Sequence, residues 1–153
     1  MTPTRWLDAD EQRSWRRFLD AKQRLPDRLD RELRSAHDIG LDDYEVLVHL
    51  SESDDGRLRM SELADALLHS RSRLTYRIDR LVRSGLVRRE RCPDDKRGTF
   101  AVLAEAGAAL LVEAAPPHVE GDRTHLVDAM DATEFARLGD VMERIAAPLR
   151  DTP

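Results

Sequence analysis

From Ser70 to Arg97 the chain concentrates hydrogen-bond donors at spacings that suit the reading of a polyanion. Ser72, Arg73, Tyr76, Asp79, Arg80 and Arg83 fall on one helix face when residues advance by about 100° each, with Thr75 and Arg77 on its flanks. Arginine forks onto guanine edges, while serine, threonine and tyrosine reach phosphates or bases, so a helix furnished in this way suits the major groove of DNA. Ser70 stands where an N-cap is expected and adds a hydroxyl to the same end. Further on, Asp95, Lys96 and Arg97 give a predicted turn its charged tip. The candidate DNA contacts are therefore Ser70, Ser72, Arg73, Thr75, Tyr76, Arg77, Asp95, Lys96 and Arg97.

Three elements must hold these side chains. Leu74, Ile78, Leu81 and Val82 recur as a stripe laid against a core, which turns the donor-rich face outward. Upstream, Ser61 is expected to cap a shorter helix carrying Leu63, Ala64, Leu67 and Leu68, and only His69 and Ser70 separate the two helices. Downstream, Gly85 ends the second helix. Residues 86–92 then read as a strand, 93–98 as a turn and 99–103 as the return strand of a hairpin.

The flanks are helical. Asp8 and Glu11 form a capping box opening a long helix whose stripe is Trp15, Phe18, Leu19, Leu25, Leu29 and Leu33, with Pro26 expected to kink it. Asp42 and Glu45 offer a second box, for a helix with Tyr44, Leu47, Val48 and Leu50 on its apolar face, and 51–57 reads as a turn. Residues 104 to about 130 carry a helical pattern that Pro116 and Pro117 should bend or break. Asp131 and Glu134 form a third box before Phe135, Leu138, Val141, Met142 and Ile145. The first helix is too long and too charged to cover its stripe within a small unit, so a partner chain is expected. The fold class is thus mainly α with a small β-hairpin wing. A winged helix-turn-helix at about 41–103 is flanked by helices at about 8–38 and 104–150, all in one domain at this length.

Composition narrows the function. Hydrophobic residues make up 41% of the chain with no apolar run of membrane-spanning length, and the N-terminus has no apolar export core, so a cytoplasmic protein with no membrane partner is expected. The net charge of −5 conceals a segregation: residues 57–97 hold 12 Lys and Arg against 6 Asp and Glu, net +6, while the rest holds 13 against 24, net −11. Positive potential is confined to the proposed reading unit. There is no Gly-rich phosphate loop, Gly-x-Ser-x-Gly elbow, His-Glu-x-x-His or Cys-x-x-Cys, so neither an enzyme nor a cofactor is expected. His118 and His125 share a face only if their helix is intact, and no third ligand accompanies them, so no metal site is expected. Cys92, the single cysteine, sits at the wing base beside Arg91 and Pro93 and is read as an inert thiol rather than a redox sensor.

Residues 41–111 resemble the MarR family of winged-helix transcriptional regulators. The matching runs are 58–64 (Leu-Arg-Met-Ser-Glu-Leu-Ala), Leu74-Thr75 with 78–81 (Ile-Asp-Arg-Leu), Gly85-Leu86-Val87, Asp95-Lys96-Arg97, and Leu103 with Gly107. The resemblance implies a homodimer held by the terminal helices, with Asp95 orienting Arg97 for the minor groove. It also implies a small aromatic or phenolic effector, for which Trp15, Phe18, Tyr44 and His49 are candidate pocket residues; core packing is the plainer reading of each. This chain carries Tyr76 where many members have arginine, and Ala104 where they often have a capping threonine. The expected function is ligand-responsive, sequence-specific repression from an inverted-repeat operator. The alternative is a winged helix that docks an acidic protein through Arg73, Tyr76 and Arg77.

Overall fold

The computed structural model describes residues 3–150, the side chains of Lys96 and Arg97 excepted. Its elements run α1 (Ala9–His37), α2 (Leu41–Glu52), β1 (Arg57–Arg59), α3 (Met60–Ala66), α4 (Arg71–Arg83), β2 (Val87–Cys92), β3 (Asp95–Leu103), α5 (Glu105–His125) and α6 (Ala132–Arg150). Two compact units divide the chain, one of residues 26–118 and one of residues 1–25 with 119–153.

The unit of 26–118 is a winged helix-turn-helix with its own core. Val46, Leu47 and Leu50 of α2, Leu63 of α3, Leu74 and Ile78 of α4 and Val87 of β2 are fully buried together. The apolar spacing of α4 thus sets its inner face through Leu74, Ile78 and Leu81, whereas Val82 lies on the exposed side of the expected stripe. Ser84 closes α4 and Gly85 follows at φ +72°, a backbone conformation that glycine takes at no steric cost.

Local signals placed the start of α3 two residues late. Its N-cap is Arg59 rather than Ser61, and the Glu62 carboxylate accepts from the Arg59 N–H at 3.0 Å. The helix stops at Ala66, so Leu67 and Leu68 belong to the turn, and Leu68 stands 91% exposed at φ +52°.

The sheet has a strand beyond the expected hairpin. β3 is central, antiparallel to β2 on one side and β1 on the other, with Arg57 opposite Val102 and Arg59 opposite Phe100. A register shift between Arg91 and Cys92 brings Cys92 opposite Asp95, so the return strand begins four residues earlier than the turn residues suggested. Cys92 is buried.

In the unit of residues 1–25 and 119–153 the expected capping boxes form. Asp8 Oδ1 accepts from the Asp10 and Glu11 N–H groups at 2.8 and 2.9 Å, and Glu11 Oε2 accepts from the Asp8 N–H at 3.0 Å. Asp131 and Glu134 repeat the arrangement at the start of α6. Trp15 and Phe18 stack with ring centres 5.7 Å apart, and both are exposed.

None of the prolines inside α1 and α5 breaks its helix. α1 continues through Pro26 and α5 through Pro116 and Pro117. Both divisions of the chain nevertheless fall at these positions, between Leu25 and Pro26 and between His118 and Val119.

Candidate nucleic-acid interface

The interface begins with the cap of α4. Ser70 Oγ accepts from the Arg73 N–H at 3.2 Å and lies 3.3 Å from Ser72 Oγ. From this end the helix presents Arg71, Ser72, Arg73, Thr75 and Tyr76 to solvent, with Tyr76 62% exposed although it is a large aromatic ring. A tyrosine ring so exposed can stack on, or make methyl contact with, a ligand. Every other α-helix described carries an acid in its first turn, which favours the helix dipole; α4 carries Arg71 and Arg73 there instead. Cations at that end oppose the helix dipole and are favourable only beside an anion.

Arg77 requires a correction. Expected beside the outward face, it turns toward α2: its side chain is 16% exposed and its guanidinium contacts both Asp42 and Asp43, the latter at 2.9 Å. Asp43 is 4% exposed and also receives Arg80 at 3.4 Å, while Asp42 receives Arg73 at 3.1 Å. One row of arginines at positions 73, 77 and 80 therefore lies along two carboxylates in the first turn of α2. A carboxylate as buried as Asp43 needs such partners, because desolvation of an unpaired charge is expensive.

The expected capping box at Asp42 and Glu45 does not form, because α2 begins at Leu41 and Asp42 falls inside its first turn. The N-cap of α2 is Gly40, which offers no side chain. Its place is taken from α1, where Asp30 Oδ1 accepts from the Leu41 N–H at 2.8 Å and Oδ2 accepts from Arg34 Nε at 2.7 Å. A Cβ at Gly40 would meet the Arg34 guanidinium, which would have to shift from its place beside Asp30. The hydrogen bond from Arg34, ahead of burial and of the Leu41 N–H, accounts for a carboxyl pKa at Asp30 below the usual value.

Between α4 and the wing runs a groove of about 440 Å³, lined by Arg59, Arg71 and Arg89 with Ser61, Thr75 and Asp95. Arg59 lies 3.6 Å from Asp95, and Arg89 lies 3.0 Å from Asp79; among the described residues Arg71 makes no ion pair. Arg57 and Arg59 stack over Phe100 at 5.1 and 5.5 Å from the ring centre. Periodicity did not single out Arg59, Arg71 or Arg89 because they converge from three elements through sheet register. Lys96 and Arg97 lie in β3, and their side chains fall outside the described residues.

His69, in the helix-turn-helix turn, has a buried Nδ1 with no hydrogen-bond partner. Burial first, then the charges of Arg73 and Arg77, hold its pKa below the ordinary imidazole value.

The candidate effector residues separate between units. Tyr44 and His49, with Leu41, Val48, Leu67 and His118, line a cavity of about 500 Å³ within the winged unit, and His118 meets the Tyr44 ring edge-on at 4.7 Å. Glu45 lies at the same cavity, its pKa raised by burial and secondarily by Asp42. Trp15 and Phe18 belong to the terminal unit.

A family model described as the MarR family matches residues 37–98. AbsC, a MarR family transcriptional regulator from Streptomyces coelicolor, is 41% identical with a TM-score of 0.93, the match covering 97% of this chain and 100% of that one. Sco3205, a MarR family transcriptional regulator from the same organism crystallised in complex with DNA, is 40% identical with a TM-score of 0.95 over 99% and 95% of the two chains. The HTH-type transcriptional regulator MhqR of Bacillus subtilis (strain 168) is 26% identical over 109 residues, 71% of this chain and 73% of that protein.

Proposed function

Because the chain belongs to the MarR family of transcriptional regulators, we propose that it is a homodimeric repressor, which binds an inverted-repeat operator and releases it when a small molecule binds. The observation that carries this reading is the outward face of α4, where Ser72, Arg73, Thr75 and Tyr76 stand exposed above a helix anchored from beneath by Leu74, Ile78 and Arg77. A related structure of similar fold and 40% identity holds DNA. In this reading α4 enters the major groove, Ser70 and the arginines of the α4–wing groove follow the phosphate backbone, and the wing carries Asp95, Lys96 and Arg97 to the neighbouring minor groove.

Exposed apolar side chains on the terminal helices support a dimer. Trp15, Phe18 and Leu19 on α1 and Phe135, Val141, Met142 and Ile145 on α6 are open to solvent in the single chain. The cavity at Tyr44, His49 and His118 is the proposed effector site, sized and furnished for a small aromatic molecule. Among the described residues no helix is long and apolar enough to cross a membrane, which accords with a regulator working on DNA in the cytoplasm.

Titration on the duplex upstream of its own gene, beside a scrambled duplex and at two salt concentrations, tests the reading. Tight binding with a clear preference is expected, and Arg97→Ala should weaken it while lowering the salt slope by about one phosphate-equivalent. Equal, weak binding to both duplexes would sink it.

A further inference from the structure

One side chain serves two claimants. Arg73 stands on the outward end of α4, yet its Nη2 rests 3.1 Å from Asp42 Oδ2, which also holds Arg77. Both partners of this pair are substantially exposed, at 54% for Arg73 and 41% for Asp42, so the contact is open to exchange. Asp42 presents to Arg73 what a DNA strand would present, an anionic oxygen at hydrogen-bonding distance. The second claim on Asp42 differs in kind, since Arg77 is largely buried and has a second carboxylate partner in Asp43 at 2.9 Å. Removing the charge at Asp42 thus frees Arg73 while leaving the α2–α4 anchor in place.

We propose that Asp42 is a positioning residue that sets DNA affinity by competing with DNA for Arg73, an internal stand-in for a backbone phosphate or base acceptor. The proposal rests on the DNA-reading assignment of α4 and adds an opposing element to it. For Arg73 to engage DNA it must leave Asp42, and the carboxylate left behind repels the approaching strand. Exposed pairs of this kind contribute up to about 1 kcal/mol, equivalent to about fivefold in affinity, and loss of the repulsion adds to that. The competition discounts every duplex alike. A regulator facing a genome of non-specific sites gains from this, because weak sites then release it readily.

The test is a substitution that should tighten DNA binding. Asp42→Asn in the full chain is expected to raise affinity about three- to tenfold for the operator and for a scrambled duplex together, with a salt slope steeper by about one phosphate-equivalent. Arg73→Ala should abolish that gain, so that Asp42→Asn with Arg73→Ala binds like Arg73→Ala alone. Stoichiometric titration fixes the active fraction of each variant, and Asp42→Ser, likewise uncharged, provides a second variant if the first folds poorly. Unchanged or weaker binding by both variants, or a gain that survives Arg73→Ala, overturns the proposal. A parent that binds no duplex, or that is indifferent to Arg73→Ala, overturns the reading beneath it as well. A parent weakened by Arg73→Ala yet untouched by Asp42→Asn overturns the competition alone.

Discussion

Every buried apolar side chain among the described residues, from Leu29 to Ala114, lies within 26–118, whereas the terminal unit exposes Trp15, Phe135, Ile145 and Leu149. The first unit is stabilised by its own interior. In the second, capping boxes and ion pairs along the helix surface, such as Arg24 with Asp20 and Arg150 with Glu143, fix local structure without enclosing a core. Such exposed pairs stabilise weakly, and the apolar side chains of the terminal unit remain largely open to solvent. On the proposed function the contrast would separate two roles, reading and assembly, by where apolar area is satisfied.

The largest effect should be on assembly. Ile145→Asp places a carboxylate in the apolar stripe of α6, and light scattering at micromolar concentration should show the dimer mass replaced by that of the monomer, with the winged unit still folded by circular dichroism. A parent that is itself monomeric would break the comparison. Next comes Leu47→Ala in the core of the winged unit, where truncating a fully buried leucine should cost about 2–5 kcal/mol in chemical denaturation. Arg77→Ala follows at about 3 kcal/mol, since it strips Asp43 of its nearest partner and leaves only Arg80. If that variant instead kept full stability and lost operator preference, Arg77 would belong to the reading face after all. Tyr76→Ala should leave melting unchanged and weaken operator binding by about 1–3 kcal/mol at particular base pairs, seen by comparing single-substituted duplexes.

The smallest effect is a pH dependence. The His69 imidazole has its pKa lowered by folding, so the unfolded chain takes up the proton first as pH falls. Its contribution to stability is therefore complete above the ordinary imidazole range and is lost as pH drops through that range toward the folded value. Melting temperatures from about pH 8 to about pH 5 should fall less for His69→Gln than for the parent. Equal slopes would assign the parent's pH dependence to other groups.

Features governed by neighbours in sequence were legible. Ser70, Asp8 with Glu11, Asp131 with Glu134, Gly85 and the inner face of α4 all depend on groups a few residues away, and their patterns carry over directly into the fold. Features governed by distant neighbours were not. Arg59 became a helix cap and a strand residue only because β3, some forty positions on, offers pairing, and Gly40 caps α2 only because Asp30 reaches across eleven residues. The direction of Arg77 had the same origin, since a residue on the flank of a helix turns inward or outward according to what the next element presents. Here it presents two carboxylates. At the prolines of α5, where a bend or a break was expected, the helix runs on without a break.

The shared duty of Arg59 bears on how new specificities arise or are engineered. It is the last residue of β1 and the N-cap of α3, so the sheet that carries the wing and the first helix of the reading pair meet in a single peptide unit. Wing and helix pair are geared together through that residue rather than hinged independently. Transplanting the hairpin of another relative without residues 57–59 would leave the recipient's β1 facing a foreign β3, and the distance between major- and minor-groove contacts would follow the recipient. A functional graft has to begin at Arg57 and run through Leu103, treating strand, helix pair and wing as one exchangeable cassette.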